Sequence, residues 1–232
     1  MRRLPFLAAL PLVATAALAE PPRPVVVELF TSQSCSSCPP ADALLGALKR
    51  ARPDVLVLDF HVDYWDRLGW KDPYSSPEAT QRQRQYAAAL GAEVYTPQLV
   101  VDGRRQVVGS DQAAVLAAVE ARREELDRAP SPPLRLEQRA GKIVLSVGAG
   151  QGSGTLWLVG YDDEHTTQVG GGENGGRRLT EVNVVRSLQD LGAWHGVPVR
   201  VEVQPSAGQR GAALLQAEDG RIVAAAELAP TG

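Results

Sequence analysis

The apolar and polar positions in the first half of the chain predict strands and helices in alternation. Short runs of β-branched and apolar residues predict strands at residues 25–30, at residues 54–62 and on either side of a turn within residues 94–109. Longer segments with apolar side chains at helical spacing predict helices over residues 41–51, 77–91 and 110–128. The predicted order of elements is therefore β-α-β-α-β-β-α.

The pattern changes near APSPP (129–133), where the third helix ends and the prolines indicate a linker. Beyond it, short alternating runs are separated by turns that contain glycine, a pattern typical of an antiparallel sandwich. We therefore expect an α/β domain over residues 20–129, followed by a small all-β domain, an antiparallel sandwich, over residues 130–232.

Residues 1–19 form a separate unit. They combine a basic start at Arg2 and Arg3, an apolar stretch and small residues that end at Ala19, which is the pattern of a secretory signal peptide. We expect these residues to be removed and the mature protein to be exported, into the periplasm or out of the cell. No later apolar run is long enough to predict a membrane span.

The amino-acid composition indicates which classes of binding partner to expect. With 44% hydrophobic and 22% charged residues, the chain can build an ordinary core. Its formal net charge is −3, and its 24 lysine and arginine residues are scattered along the sequence. Because nucleic-acid binding needs a basic patch, we expect no nucleic-acid partner.

Both cysteines, Cys35 and Cys38, lie in TSQSCSSCPP (31–40), between the first predicted strand and the first predicted helix. A disulfide persists in exported proteins, but a bridge over two residues closes almost no loop, so a purely structural role explains little. Near a helix N-terminus the helix dipole favours a thiolate, which should lower the pKa of Cys35. These features favour a redox pair in which Cys35 is the nucleophile and Cys38 resolves the mixed disulfide.

This order of elements, with CxxC at the first strand–helix junction and Thr96-Pro97 opening the third strand, resembles the thioredoxin superfamily. Four segments are similar to DUF1223, an exported bacterial thioredoxin-like family of unknown function: VVVELFTSQSCSSCPPADALL, FHVDYWDRLGWKDPYSS, YTPQLVVDG and GGENGGRRLTEVNVVRSL. The resemblance implies a thioredoxin-like fold for residues 20–129, with a cis Pro97 and the preceding Thr96 shaping a substrate groove beside the cysteines.

The resemblance and the cysteine pair together predict a periplasmic thiol–disulfide oxidoreductase. Its redox partners are expected to be thiols or disulfides of other proteins, because the pair itself carries the electrons. No bound cofactor is needed for such an exchange.

Four further residues are candidates for a supporting role. Ser36 and Ser37 stand between the cysteines, where thioredoxin has Gly-Pro, and their hydroxyls can donate weak hydrogen bonds to a thiolate. His61 ends the second predicted strand and could assist proton transfer from Cys38, although a structural role in the following loop is the simpler interpretation. Glu28 is similar to the buried acid of thioredoxin, but it lies one position too far from Cys35 to share that face of the strand.

Two alternatives to an enzyme stay open. The scaffold could be a non-enzymatic module that binds a protein, or it could handle copper through the two thiolates and His61. The only methionine is Met1, within the predicted signal peptide, and a structural zinc site normally has four protein ligands where three candidates are in view. We therefore assign no metal ligands.

Two loops are candidates for contacts with the cysteine region. The aromatic residues of FHVDYWDRLGWKDPYSS could form a lip for a substrate polypeptide or the core of a long loop. The glycine-rich stretch VGGGENGGRR (169–178) lacks the lysine and the serine or threonine of a P-loop, so it indicates a mobile hairpin loop. Glu173, Arg177 and Arg178 are the charged points through which it could contact the first domain.

Overall fold

The computed structural model describes residues 23–129, 131–205 and 207–228, so the predicted signal peptide, residues 1–19, lies outside the described residues. The first part contains β1 (Val25–Thr31), α1 (Pro39–Ala51), β2 (Val55–His61), a 3-10 helix (Asp63–Leu68), α2 (Pro77–Leu90), β3 (Gln98–Val101), β4 (Arg105–Val108) and α3 (Gln112–Arg128). This confirms the predicted order β-α-β-α-β-β-α.

The second part is composed of strands. They are β5 (Leu134–Arg139), β6 (Lys142–Val147), β7 (Gly154–Gln168), β8 (Arg178–Trp194), β9 (Val199–Val203), β10 (Arg210–Gln216) and β11 (Ile222–Glu227), with a second 3-10 helix (Gly172–Asn174) between β7 and β8. The glycine-rich stretch therefore connects the two longest strands as a hairpin, as its position in the sequence predicted.

Eight strands form one mixed sheet in the order β11-β10-β7-β8-β2-β1-β3-β4, and β5, β6 and β9 form a smaller antiparallel sheet. The sequence predicted that residues 130–232 build a sandwich by themselves, and the structure differs on this point. Strand β8 pairs in parallel with β2 at Asp59 and Val184, so four strands of the second part extend the sheet of the first. Local periodicity does not predict a pairing between segments so far apart in the chain.

Alternation along the central strands separates two apolar layers. Val25, Val27 and Leu29 of β1 face a core shared with α1 and α3, whereas Val26 and Phe30 face a second core shared with α2. A third core lies between the smaller sheet and the strands of the second part. Both faces of the large sheet are thus covered, as expected for strands that read as continuous apolar runs.

Local signals in the sequence account for where the helices begin. The hydroxyl of Ser76 accepts a hydrogen bond from the amide of Ala79 at the start of α2, and the carboxylate of Asp111 accepts one from Ala114 at the start of α3. None of the helices in the described parts of the chain is both long and apolar enough to cross a bilayer.

Candidate functional site

The two cysteines form a disulfide in the turn between β1 and α1. The amide of Cys35 donates to the carbonyl of Ser32 at 3.1 Å, and the amide of Cys38 donates to the carbonyl of Cys35 at 3.2 Å. Cys38 is the N-cap residue of α1. Both cysteines have an exposed fraction of 0%, so solvent does not reach either sulfur in this arrangement.

The start of α1 corrects the position expected for Cys35. Prolines 39 and 40 occupy the first turn, so the residue at the helix terminus is Cys38, and Cys35 lies one turn earlier. The prolines carry no N–H group, and the amides of Ala41 and Asp42 both donate to the carbonyl of Cys38. Because the effect of the helix dipole is confined to the terminal turn, it acts more strongly on Cys38 than on Cys35.

A cis peptide bond joins Thr96 to Pro97, and Thr96 contacts the disulfide. The hydroxyl of Thr96 contacts the sulfur of Cys35 at 3.3 Å and accepts a hydrogen bond from the indole N–H of Trp65 at 2.8 Å. The carbonyl of Pro97 accepts a hydrogen bond from the amide of Gly109 at 2.9 Å. The structure thus brings together three residues singled out from the sequence: Cys35, Thr96 and Pro97.

The two serines between the cysteines are exposed and have different neighbours. The hydroxyl of Ser37 lies 3.4 Å from the sulfur of Cys35. The amide and hydroxyl of Ser36 both donate to Oε2 of Glu173, at 2.9 and 2.7 Å. Ser37 is therefore placed to interact with Cys35, while Ser36 binds a residue of the second part of the chain.

Glu173 belongs to the glycine-rich loop (residues 169–178), which packs against the segment that carries Cys35. The side-chain amide of Asn174 donates to the carbonyls of Gln33 and Cys35 at 3.1 and 2.8 Å, and the amide of Glu173 donates to the carbonyl of Ser34 at 3.2 Å. The loop approaches so closely that a Cβ at Gly172 would lie 2.6 Å from the hydroxyl of Ser34. The predicted contact of this loop with the first domain is thus present.

The three charged residues of the loop differ in what they contact. Glu173 binds the cysteine turn, whereas Arg177 donates to the side-chain oxygen of Asn174 at 2.8 Å and Arg178 is exposed at the start of β8. Sequence reasoning missed Asn174, which is fully buried. An asparagine between Glu173 and Gly175 gives no local signal of a partner 139 residues away.

His61 is buried and paired with two carboxylates. Its Nδ1 lies 2.7 Å from Asp72, and its Nε2 lies 3.6 Å from Asp59. Burial alone would lower the pKa of His61, but the carboxylates of Asp72 and Asp59 together raise it well above its ordinary value. Asp72 also accepts hydrogen bonds from the amides of Gln33 and Tyr74. This geometry supports the structural interpretation of His61, since Asp72 joins the aromatic loop to the cysteine segment.

Two further carboxyl groups lie in the same buried region, and neither was selected from the sequence. Asp42 accepts a hydrogen bond from the hydroxyl of Thr31 at 2.8 Å, and burial together with Asp59 raises its pKa well above the ordinary value. Burial raises the pKa of Glu181 to about 7, with Asp59 adding to this and His61 opposing it. The signal of this cluster in the sequence is Asp59, a charged residue within the apolar run VLVLDFH.

Glu28 lies elsewhere, which corrects its proposed likeness to the buried acid of thioredoxin. It alternates with Val26 and Phe30 on the face of β1 that packs against α2, opposite the face that packs against α1. There it forms an ion pair with Arg82, with Nε to Oε1 at 2.5 Å, and accepts a hydrogen bond from Tyr86. The structure therefore favours a structural role for Glu28, as part of a buried ion pair.

The aromatic loop after β2 is held in place by its own contacts, and it lies next to the cysteine turn. Trp65 and Trp70 are partly exposed, yet each is fixed by a hydrogen bond from its indole N–H, to Thr96 and to Gln33 respectively. The ring of Trp70 also packs against Gly170 of the glycine-rich loop. This loop therefore forms part of the rim around the cysteine turn and is held in place by its own contacts.

The side chains near the cysteines can be compared with those that a metal site needs. Nδ1 of His61, the third ligand considered for copper, is bonded to Asp72 at 2.7 Å, and its Nε2 lies 3.6 Å from Asp59. Among residues 23–129, 131–205 and 207–228, no group of three or more His, Cys, Asp or Glu side chains is arranged to hold a metal ion.

Comparisons with known proteins identify the family. The model of the family described as "Protein of unknown function (DUF1223)" matches residues 26–218. The crystal structure of protein AGR_C_4864 from Agrobacterium tumefaciens is 33% identical and has a TM-score of 0.78, with 90% of this chain and 96% of that chain covered. HBP35 of Porphyromonas gingivalis shares the fold at 15% identity and a TM-score of 0.57, with 88% and 74% covered. No protein of curated function is detectably similar. The chain therefore belongs to the DUF1223 family.

Proposed function

We propose that the protein is an exported thiol–disulfide oxidoreductase that exchanges its Cys35–Cys38 disulfide with dithiols of partner proteins. The observation that carries this proposal is the disulfide at the start of α1, with the hydroxyl of Thr96 3.3 Å from the sulfur of Cys35 and a cis Pro97 next to it. The order of elements in residues 25–128 and the position of the cysteine turn support a thioredoxin-like arrangement.

The exchange conserves atoms and electrons in two steps. A thiolate of the partner attacks the sulfur of Cys35, the bond between Cys35 and Cys38 breaks, and Cys38 leaves as a thiolate that takes up a proton. The partner's second thiolate then attacks the partner's first sulfur, which is bonded to Cys35 in the mixed disulfide. Cys35 leaves as a thiolate. The partner has lost two electrons and two protons, and the protein has gained them; oxidation of the protein by a partner disulfide is the reverse.

The start of α1 suits this division of roles. Cys38 is the leaving group of the first step, and it is the N-cap residue of the helix. The positive end of the helix dipole stabilises the negative charge that develops on its sulfur. Thr96 and Ser37 contact the sulfur of Cys35, where their hydroxyls can orient the group that the partner attacks.

One observation favours a second candidate, a structural disulfide: both cysteines are fully buried. The two functions differ in reduction potential, which equilibration of the mature protein with glutathione buffers measures. An exchanging pair should lie between about −270 and −120 mV, whereas a structural disulfide lies below about −300 mV. A pair that glutathione cannot reduce would overturn the oxidoreductase.

Cysteine variants test the mechanism directly. Cys35→Ser should abolish reduction of a protein disulfide, with insulin and dithiothreitol as substrates. Cys38→Ser should accumulate a mixed disulfide between Cys35 and the partner, detected as an added mass, because the resolving thiol is missing. The double variant supplies the background rate. Full activity of Cys35→Ser would contradict the proposal, and binding of a partner without turnover would favour a non-enzymatic module.

A further inference from the structure

The cysteine turn is closed in this structure, although the proposed function needs it open. A thiolate must approach a disulfide sulfur directly, but Cys35 and Cys38 have no exposed surface. Some part of the cover over the turn must therefore move before a partner polypeptide reaches Cys35. The cover includes Thr96, the aromatic loop and the glycine-rich loop.

Two side chains of the glycine-rich loop, one buried and one exposed, bind the cysteine turn. Asn174 is fully buried and binds the carbonyls of Gln33 and Cys35. Glu173 is exposed, and its carboxylate binds Ser36, which is also exposed. Hydrogen bonds at the surface are replaced by water at little cost, whereas a buried one is not. The contact between Glu173 and Ser36 is thus the part of the cover that opens most readily.

The donors of Ser36 form a site for a carboxylate. Its amide and its hydroxyl converge on a single oxygen of Glu173, at 2.9 and 2.7 Å. These hydrogen bonds lower the pKa of Glu173, which shows that the site favours the charged form. Arg177, whose guanidinium donates to Oδ1 of Asn174 at 2.8 Å, adds positive charge to the loop that carries Glu173. Ser36 follows Cys35 directly in the chain and is exposed, so it is close to the point at which a partner polypeptide would be joined to Cys35.

We propose that Ser36 binds an acidic side chain of the partner polypeptide, and that Glu173 occupies this site until the partner displaces it. The inference rests on the proposed function and names the partner's chemistry: an acidic residue next to the reacting cysteine. Glu173 acts as an internal substitute for that residue and keeps the glycine-rich loop over the turn.

The test uses the mature oxidised protein and three reductants: dithiothreitol, a dithiol peptide with glutamate beside its first cysteine, and the same peptide with lysine there. The rate constant for reduction of Cys35–Cys38 is measured with each. The flanking charge also changes the reactivity of the peptide's own thiol. The rate constant of each peptide with the protein is therefore divided by the rate constant of the same peptide with the neutral 2-hydroxyethyl disulfide. Glu173→Ala opens the site, Glu173→Gln keeps a neutral acceptor, and Ser36→Ala removes one donor. Glu164→Ala, an exposed glutamate on β7, is the control.

We expect the wild-type protein to prefer the glutamate peptide, and Ser36→Ala to reduce this preference. Glu173→Ala should raise the rate with dithiothreitol roughly twofold, the effect of a net hydrogen bond at the low end of the usual range, with a smaller rise for Glu173→Gln and none for Glu164→Ala. An unchanged dithiothreitol rate in Glu173→Ala would overturn the closing role, and equal corrected peptide rates would overturn the carboxylate site. Reduction by dithiothreitol needs no physiological partner. The effect of Glu173→Ala on this rate can therefore be measured even if the proposed function fails.

Discussion

Glu181 provides a quantitative test of the buried carboxyl cluster. It lies on β8 with an exposed fraction of 1%, and one of its oxygens accepts a hydrogen bond from the side-chain amide of Gln33 at 3.2 Å. Burial raises its pKa from 4.5 to about 7, with Asp59 adding and His61 opposing. The folded protein therefore keeps a proton on Glu181 that the unfolded chain releases above about pH 4.5.

The direction of the pH dependence follows from this difference. Because the folded state binds more protons, the contribution of Glu181 to the free energy of unfolding falls as the pH rises from about 4.5 to 7. The pKa shift from 4.5 to about 7 corresponds to a loss of about 3 kcal/mol when the group is ionised. Glu181→Gln keeps the shape and an acceptor for Gln33 but cannot ionise, so the loss is absent in this variant.

Urea denaturation of the oxidised protein at about pH 4.5 and about pH 8 measures the effect. Glu181→Gln should match the wild type at the lower pH and be more stable by up to about 3 kcal/mol at the higher one. Glu164→Gln, at an exposed residue of the neighbouring strand β7, should show no such difference. A stability difference between Glu181→Gln and the wild type that is the same at both pH values would refute the reasoning.

Three further substitutions test the contacts described above, with stability measured by urea denaturation. Arg82→Met leaves the carboxylate of Glu28 buried without its cation and should cost about 3–5 kcal/mol, while a Glu28→Gln/Arg82→Met double variant should recover part of this loss. Asn174→Ala removes two hydrogen bonds to buried carbonyls and should cost about 1–3 kcal/mol, whereas no loss would mean that water replaces the side chain. Gly172→Ala forces a Cβ to within 2.6 Å of Ser34 at a φ of +67°, so it should lower stability by more than about 1 kcal/mol, and should also speed reduction by dithiothreitol.

The sequence predicted the elements of the first part of the chain because their signals are local. Apolar periodicity gave the strands and helices, and the prolines after Cys38 gave the start of α1 to within two residues of the helix observed from Pro39. The position of Pro97 beside Cys35 came from resemblance, since nothing in the spacing of the two segments indicates that they meet. The contact between Thr96 and Cys35 is a product of the fold.

What the sequence could not predict depends on pairings across the whole chain. Strand β8 joins the sheet at β2, and this places Glu181 among carboxyl groups of the first part. The spacing of Glu28 from Cys35 had already indicated that it lies on another face of β1. The alternation of β1 assigns it to the face of Val26 and Phe30, and this information was present in the sequence.

The β7–β8 hairpin has a consequence for the order in which the site is assembled. Asn174 follows Cys35 by 139 residues, so a chain that folds as it emerges from its N-terminus presents the cysteine turn well before the glycine-rich loop exists. During that interval the turn lacks the two hydrogen bonds that Asn174 donates to it. The closed arrangement of the cysteine turn therefore depends on a loop from the second part of the chain, and a chain truncated before this loop would lack those contacts.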